Sequence, residues 1–474
     1  MAAERHTSAE LLARFCLTLR ADEIPDHVRQ EAKVHILDAL GVALAASSLS
    51  SGAALERAVR RAGSGIDSSA VGFPEPMGAA WAALLNGALV HSLEYDDTHT
   101  GSVIHGSSLV LPAVLAVAES RRRSGLEMLA AFVAGWESLV RLGAAAPGAF
   151  QARGFQTTAV CGAFVAAAIA ARLSGLSIDE ATNAVGIAGS QASGVFAFLA
   201  DGATVKSLHP GWAAHAGLVA AHLATGGMSG PREIFETRFG FYRVYADAST
   251  ERLRHELSTL GVEWELPRAS VKLFPCCHFI HPFLECTSAL VREHGLSPTD
   301  IGSIECLVPV EEAPIICDPW ERRRAPNTGY EAKFSLPYCV ATLVVHGAVD
   351  VDSFATDALS QDAIAFATRI SYQPLERSGY PQRFPGHVRM VLRNGRVVEA
   401  SVADVRGGPT RPVSTDDVVA KFVSNATRRI GRDAAQRVVE RVMQLETLST
   451  LDPLVMDLRS MLEVAPLAGN VTAR

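Results

Sequence analysis

Residues 91–105, with the sequence HSLEYDDTHTGSVIH, hold three carboxylates and three histidines between two apolar segments. Burying such groups costs free energy unless they are paired or used in chemistry. Carboxylate, hydroxyl and imidazole groups can pass a proton, so we favour general acid–base catalysis. Two alternatives stay open. One is a solvated loop with a helix-capping aspartate; the other is a metal site, although the segment lacks the rigid helical pair of histidines four residues apart.

Two lysines are notable for their positions. Lys206, in GATVKSLHPGW (202–212), is the only lysine between Lys33 and Lys272. An ammonium group near the start of a helix can receive a carboxylate, although a lone lysine beside an apolar helix can also extend its charge to solvent. Lys272, in VKLFPCCHFIH (271–281), falls at an expected junction between two domains, where ligand sites are common.

Several common chemistries lack their sequence signatures. The chain has no G-x-G-x-x-G after a predicted strand, no P-loop and no G-x-S-x-G, so neither a nucleotide cofactor nor a serine hydrolase is indicated. Eight cysteines without a C-x₂-C pair argue against zinc or iron–sulfur ligation, and the adjacent Cys276-Cys277 pair has no activating context. A net charge of −7 argues against a nucleic-acid partner. We therefore predict an enzyme without metal or cofactor.

Two charge-free stretches, 181–200 and 210–231, are long enough to suggest membrane spans. Neither has the Leu, Ile and Phe density of a spanning helix, so we expect buried core helices. The N-terminal residues carry charges and no apolar run typical of a signal peptide. Together with free thiols, these features predict a cytoplasmic protein that does not bind a membrane.

The elements that would position these residues change in character along the chain. Ala-rich helical patterns dominate up to about residue 267, and β-branched runs follow, including 301–310 and a hairpin around Asn394-Gly395. We predict a helical domain at 1–267, a smaller α/β domain at 268–409 and a C-terminal helical segment at 410–474 that rejoins the first domain. Helices are predicted at 78–93, 108–124, 126–143, 158–174, 178–199, 211–225, 281–294, 331–346 and 353–367.

Five blocks together resemble the MmgE/PrpD family over nearly the whole chain: HSLEYDDTH followed by His105, RGFQTTAVCGAF, GATVKSLHPGWAAHAG, VKLFPCCHFIH and YEAKFSLPY. The resemblance implies a mainly α fold with an α+β lid, in which a large all-helical domain and a smaller α/β lid enclose the site, and a homodimer. It implies catalytic roles for Asp97, Thr98, His105, Lys206 and Lys272, and for His278 or His281 from the lid. Glu94, Asp96, Gln156 and His209 are the expected substrate-binding residues.

Two residues depart from the family pattern. Glu94 stands where many members have Asp, and Gln156 stands where members often have His. An amide in place of an imidazole removes a possible acid or base, which leaves open a substrate other than 2-methylcitrate or cis-aconitate.

The resemblance implies chemistry at a carbon next to a carboxylate, where Lys206 and Lys272 would stabilise the developing negative charge. Our main expectation is a cofactor-free dehydratase of a small hydroxy di- or tricarboxylate resembling 2-methylcitrate. A cis-aconitate-type decarboxylase and a dicarboxylate epimerase or isomerase are alternatives. A catalytically inactive helical binding protein is the alternative of another class.

Overall fold

The computed structural model describes residues 6–200, 202–354, 359–380 and 383–459. A body of Ala-rich helices forms the first part of the chain, joined by short connections and by 3₁₀ turns at Phe196–Ala200, Thr204–Ser207 and Leu266–Arg268. Its helices are α1 Ser8–Thr18, α2 Asp26–Ser47, α3 Ser50–Ala62, α4 Ala79–Ser92, α5 Gly106–Ser120, α6 Gly125–Ala144, α7 Ala149–Ala152, α8 Thr157–Ser174, α9 Ile178–Ala188, α10 Leu208–Thr225, α11 Phe241–Tyr245 and α12 Glu251–Ser258.

Small residues set the spacing of the helices that carry the site. A Cβ atom built on Gly211 of α10 would lie 2.1 Å from the carbonyl oxygen of Leu84 in α4. Only glycine fits such an approach between two backbones. The close packing of α4 against α10 brings the end of α4, which carries His91, next to the start of α10, which follows Lys206.

The α/β domain contains a mixed four-stranded sheet in the order β2-β1-β3-β4. Its strands are β1 Ile301–Pro309, β2 Ile370–Leu375, β3 Gly386–Leu392 and β4 Val397–Val402. β1 pairs in parallel with β2 and antiparallel with β3, which forms a hairpin with β4. Its helices are α13 His281–His294, α14 Ala313–Ile316, α15 Trp320–Arg324, α16 Gly329–Ala332, α17 Leu336–His346 and α18 Gln361–Ala367. The domain has its own apolar core, which runs from Cys276 to Val398.

The C-terminal helices are α19 Thr415–Ala426, α20 Arg432–Met443 and α21 Asp452–Leu458. They pack on the helical body rather than on the sheet, because Phe422, Val438 and Leu458 belong to the same core as α2 and α6. The predicted fold class, mainly α with a small α/β domain, is confirmed. The predicted C-terminal segment beyond residue 459 lies outside the described residues.

Several local predictions differ from the structure. The predicted helix at 353–367 corresponds to a 3₁₀ turn at Asp352–Phe354 and to α18 from Gln361, while residues 355–358 lie outside the described part of the chain. The helix predicted at 178–199 ends at Ala188. The helix predicted at 331–346 is divided into α16 and α17, because Ser335 caps a new helix and Pro337 occupies its first turn. Strand β2 was not predicted, since Pro374 lies within it and proline discourages a strand interior.

By length and composition alone, helix α8 is long and apolar enough to cross a membrane, but 89% of this apolar stretch is buried inside the protein. Such burial is typical of a core helix, because α8 lies among its neighbours in the helical body. The two stretches flagged in the sequence, 181–200 and 210–231, do not coincide with this helix.

Candidate active site

The site is built on the loop that leaves α4 at Leu93 and enters α5 after His105. A short antiparallel bridge joins this loop to the domain junction: the Thr98 amide donates to the Ser270 carbonyl at 3.0 Å, and the Ser270 amide donates back at 2.8 Å. Glu94 has a left-handed backbone with φ of 52°. This conformation is unfavourable for a residue with a Cβ and persists only where its surroundings hold it.

Asp96 and two imidazoles form the centre of the loop. Asp96 Oδ2 lies 2.7 Å from His91 Nδ1 and 3.7 Å from His105 Nδ1. Burial opposes ionisation of Asp96, but the two histidines outweigh it and place its pKa far below the usual range. Burial lowers the pKa of His105 to about 3, against the opposing charge of Asp96 and with the help of His91 and Lys272. At neutral pH His105 is therefore a neutral imidazole.

A chain of hydrogen bonds extends from Asp96 and His91 through Gln156 to His209. The Gln156 amide nitrogen lies 3.0 Å from His91 Nε2, and its oxygen lies 2.9 Å from His209 Nδ1. The directions are mutually consistent when His91 donates from Nδ1 to Asp96 and His209 donates from Nδ1 to Gln156. Burial, with the charges of His91 and Lys206, lowers the pKa of His209 to about 4. Gln156 and His209 therefore fix the tautomer of His91.

Two lysines converge on Glu94. Lys206 Nζ donates to Glu94 Oε1 at 2.5 Å, and Lys272 Nζ lies 3.9 Å from Glu94 Oε2 while donating to the Glu94 carbonyl at 3.1 Å. The Tyr330 hydroxyl lies 3.4 Å from the same Oε1. Burial raises the pKa of Glu94, but Lys206 and Lys272 outweigh it and lower that pKa to about 2. Glu94 thus occupies, as an anion, the place where a carboxylate is best received.

Asp97 and Thr98, both expected to be catalytic, contact His105 in different ways. The Asp97 carboxylate binds His35 Nδ1 at 2.8 Å and the Ser107 amide at 3.0 Å. Its backbone carbonyl lies 3.0 Å from His105 Nδ1, and Thr98 Oγ1 lies 3.3 Å from the same nitrogen. The carboxylate beside His91 and His105 is therefore that of Asp96. The Asp97 carbonyl orients His105 through Nδ1, and His105 Nε2 has no hydrogen-bond partner among the described residues.

The two lid histidines lie in different surroundings. His278 is buried, and neither ring nitrogen has a hydrogen-bond partner among the described residues. Burial, with the positive charge of Lys272, holds the pKa of His278 well below its usual value. His281 lies 3.3 Å from the Cys276 carbonyl and lines a separate cavity of about 230 Å³. Of the two, His278 is the lid histidine whose pKa is affected by Lys272.

Sequence reasoning did not assign several residues that the structure brings to this loop: His35, His91, Ser107, Tyr330, Lys333 and Lys421. His91, Tyr330 and Lys333 lie within the quoted sequence blocks, so a signal for them was present. His35 reads as one more position on the buried face of α2, and Lys421 lies in no motif.

The nitrogen and oxygen ligand atoms of His91, Asp96 and His105 lie within 4.8 Å of one another. Two imidazoles and a carboxylate could hold a divalent cation. However, Asp96 and His91 use facing atoms to bond each other at 2.7 Å. A cation would have to replace that hydrogen bond, so the arrangement as it stands suits holding a proton.

The structure thus combines a helical body, an α/β domain and a buried cluster of lysines and histidines. Residues 10–253 match the model of the MmgE/PrpD N-terminal domain, and residues 274–446 match that of the MmgE/PrpD C-terminal domain. The chain belongs to the MmgE/PrpD family, a family of enzymes.

Curated relatives align over almost their full length. The cis-aconitate decarboxylase-like protein oryM of Aspergillus oryzae is 30% identical, with 95% of this chain and 97% of that protein covered. Human cis-aconitate decarboxylase is 29% identical, with coverage of 91% and 90%. The enzyme of that name from Aspergillus terreus is 25% identical, with 96% of each chain covered. These relatives favour the decarboxylase alternative over the dehydratase that was our main expectation.

Proposed function

We propose that this protein is a cofactor-free carboxy-lyase that removes CO₂ from a small unsaturated tricarboxylate of the cis-aconitate type. The observation that carries the proposal is the pairing of two buried lysines with the neutral imidazole of His105 within one loop-centred site. The names of the aligned relatives support the choice of reaction. The family resemblance also leads us to propose a cytoplasmic homodimer.

The reaction needs one proton and a place for negative charge. The bond between carbon and the leaving carboxylate breaks, and its electron pair forms a new carbon–carbon double bond. The old double bond accepts a proton at its far carbon. Each turnover therefore releases one CO₂ and consumes one proton, without an oxidant or a reductant.

The lysines supply the electrostatic part of this reaction. Lys206, Lys272 and Lys333 bring three ammonium groups to the turn that carries Glu94 and leads to Asp96. Cations therefore outnumber these two carboxylates, and the site can attract a polyanion. Buried donors fixed before the reaction stabilise developing charge without reorganisation. A substrate carboxylate would compete with Glu94 for Lys206, and Lys206 and Lys272 would then spread the charge of the enediolate-like state.

His105 supplies the proton. Its Nδ1 is held by the Asp97 carbonyl, so Nε2 is the nitrogen that would carry the proton. Its pKa of about 3 reflects burial and the nearby cations, which a bound trianion would offset. Substrate binding would thereby raise the pKa of His105 toward neutrality and draw in the proton that the reaction uses. His278, on the lid side, would close the site over the substrate.

The test is turnover of a panel: cis-aconitate, citrate, isocitrate and 2-methylcitrate. We expect cis-aconitate to give CO₂ and a dicarboxylate with new vinyl protons by NMR. With the CO₂ swept out by nitrogen before it hydrates to bicarbonate, we expect a pH-stat to record one proton consumed per CO₂. Loss of water from 2-methylcitrate as the fastest reaction would instead establish the dehydratase. Binding of these acids without any turnover would overturn the proposal in favour of a binding protein.

A further inference from the structure

Lysine is rare in this chain and is used in a consistent way. Only five of the 43 basic residues are lysines, and all five are buried. Four of them bind the three-residue turn Leu93-Glu94-Tyr95, which begins the site loop. The fifth, Lys33, binds the Met443 carbonyl and Glu446 elsewhere in the helical body.

Three of these lysines bind three successive carbonyl oxygens of the turn. Lys333 donates to the Leu93 carbonyl at 2.7 Å, Lys272 to that of Glu94 at 3.1 Å and Lys421 to that of Tyr95 at 3.0 Å. They come from distant parts of the chain: the α/β domain, the domain junction and α19. Because the three donors belong to three separate parts of the fold, together they hold three consecutive carbonyls of the turn in place.

The two lysines without an assigned role are themselves firmly held. Lys421 Nζ lies 2.7 Å from Asp38 Oδ1 and 3.8 Å from the centre of the Tyr95 ring. Lys333 Nζ also lies 3.4 Å from the Pro275 carbonyl and 5.1 Å from the centre of the Phe354 ring. Each ammonium group is therefore a fixed donor, which is what a strained turn needs.

The turn decides the direction of the site carboxylates. Its left-handed residue, Glu94, sends its side chain to Lys206, and Asp96 follows two residues later beside His91. A relaxed φ at Glu94 would rotate both groups away from their partners. Neither Lys333 nor Lys421 is within hydrogen-bond distance of Asp96 or His105, so their influence passes through the backbone.

We propose that Lys333 and Lys421 are positioning residues that hold the Leu93–Tyr95 turn in its active geometry, and that Lys333 couples the α/β domain to that turn. The part of this inference that concerns catalysis rests on the proposed carboxy-lyase activity; the part that concerns the turn does not. When the α/β domain moves away, the Leu93 carbonyl loses its donor and the turn relaxes. The site is then fully assembled only while the domain is seated.

The experiment compares Lys333→Met and Lys421→Met with Lys33→Met. The control removes a buried lysine that also binds a carbonyl and a carboxylate, but away from the site. Steady-state kinetics measure kcat and KM separately, and hydrogen–deuterium exchange with mass spectrometry follows the peptide covering residues 93–105. Lys333→Gln and Lys421→Gln, which are neutral and one atom shorter, replace any methionine variant that does not fold.

We expect both site variants to lose roughly 10²-fold in kcat, the scale of a 1 Å misplacement, with KM changed less than about threefold. We also expect faster exchange in 93–105, with both properties unchanged in Lys33→Met. Wild-type kcat and exchange in both site variants would overturn the inference, as would an equal effect in the control. If the wild-type protein is inactive on every acid tested, only the carboxy-lyase proposal fails. The hydrogen–deuterium exchange result then decides whether Lys333 and Lys421 hold the turn.

Discussion

The ion pair between Glu94 and the two lysines makes a quantitative prediction about acid stability. The pKa of the Glu94 carboxyl group, about 2, lies well below its ordinary value of 4.5. At about 1.36 kcal/mol for each pH unit, that difference corresponds to about 3 kcal/mol favouring the ionised carboxylate in the folded protein. Because the side chain is almost fully buried, little of this is lost to solvent screening.

Acid removes the stability that the Glu94 ion pair contributes. A carboxyl group whose pKa is depressed on folding contributes its stability above the unfolded value of about 4.5, and loses it as the pH falls toward 2. Glu94→Gln removes this dependence. The variant should be less stable than wild type at pH 6, because two buried lysines lose their anionic partner, and this difference should shrink as the pH falls from 4.5 to 2.5.

Urea unfolding followed by circular dichroism at pH 6.0, 4.5, 3.5 and 2.5 measures the effect. Glu446→Gln serves as the control, because it removes the carboxylate of another buried lysine, Lys33, outside the site. We expect the free-energy gap between wild type and Glu94→Gln to narrow by about 2–3 kcal/mol over this range. A gap that stays constant with pH would refute the assigned ion pair.

Four further predictions concern activity. His105→Ala should fold normally and lose roughly 10²–10⁴-fold in kcat, as expected for a positioned acid–base group; full activity in the folded variant would remove His105 from the mechanism. Lys272→Met should lower kcat/KM roughly 10- to 150-fold, the range for one hydrogen bond from a charged donor, and a change below threefold would contradict its role. Proton uptake on binding a non-reactive tricarboxylate, measured by calorimetry in two buffers, should be a positive fraction of one proton at pH 7 and should fall in His105→Ala. Zero uptake in wild type would refute the coupling of substrate binding to His105. Dialysis against EDTA should leave activity unchanged, whereas loss that zinc or iron restores would establish a metal at His91, Asp96 and His105.

The site loop separates two tasks between adjacent carboxylates. Asp97 binds His35 and Ser107 and so anchors the loop to α2 and α5, while Asp96 sets the charge beside His91 and His105. For Asp96 and Asp97 to exchange these roles, the loop backbone would have to shift its register by one residue. The left-handed Glu94 and the lysines around it prevent that rearrangement.

The sequence alone determined the features that depend on local pattern. Helical periodicity predicted the helical body, Asn394-Gly395 predicted the β3–β4 hairpin, and the density of polar residues predicted the 91–105 segment as a site. The helical body and the hairpin are confirmed, because helix faces and tight turns depend on a few neighbouring residues. The assignment of 91–105 as a site rests on the cost of burying charge and stays a prediction.

The tertiary structure alone decided which residues meet. Lys272, Lys333 and Lys421 are separated by 61 and 88 positions, yet they bind three consecutive carbonyls. Adjacent Asp96 and Asp97 look equivalent in the sequence. The backbone at Glu94 directs Asp96 to His91 and Asp97 to His35. No local sequence pattern specifies long-range packing or a single unusual φ. The partners of each charged group are therefore known only from the tertiary structure.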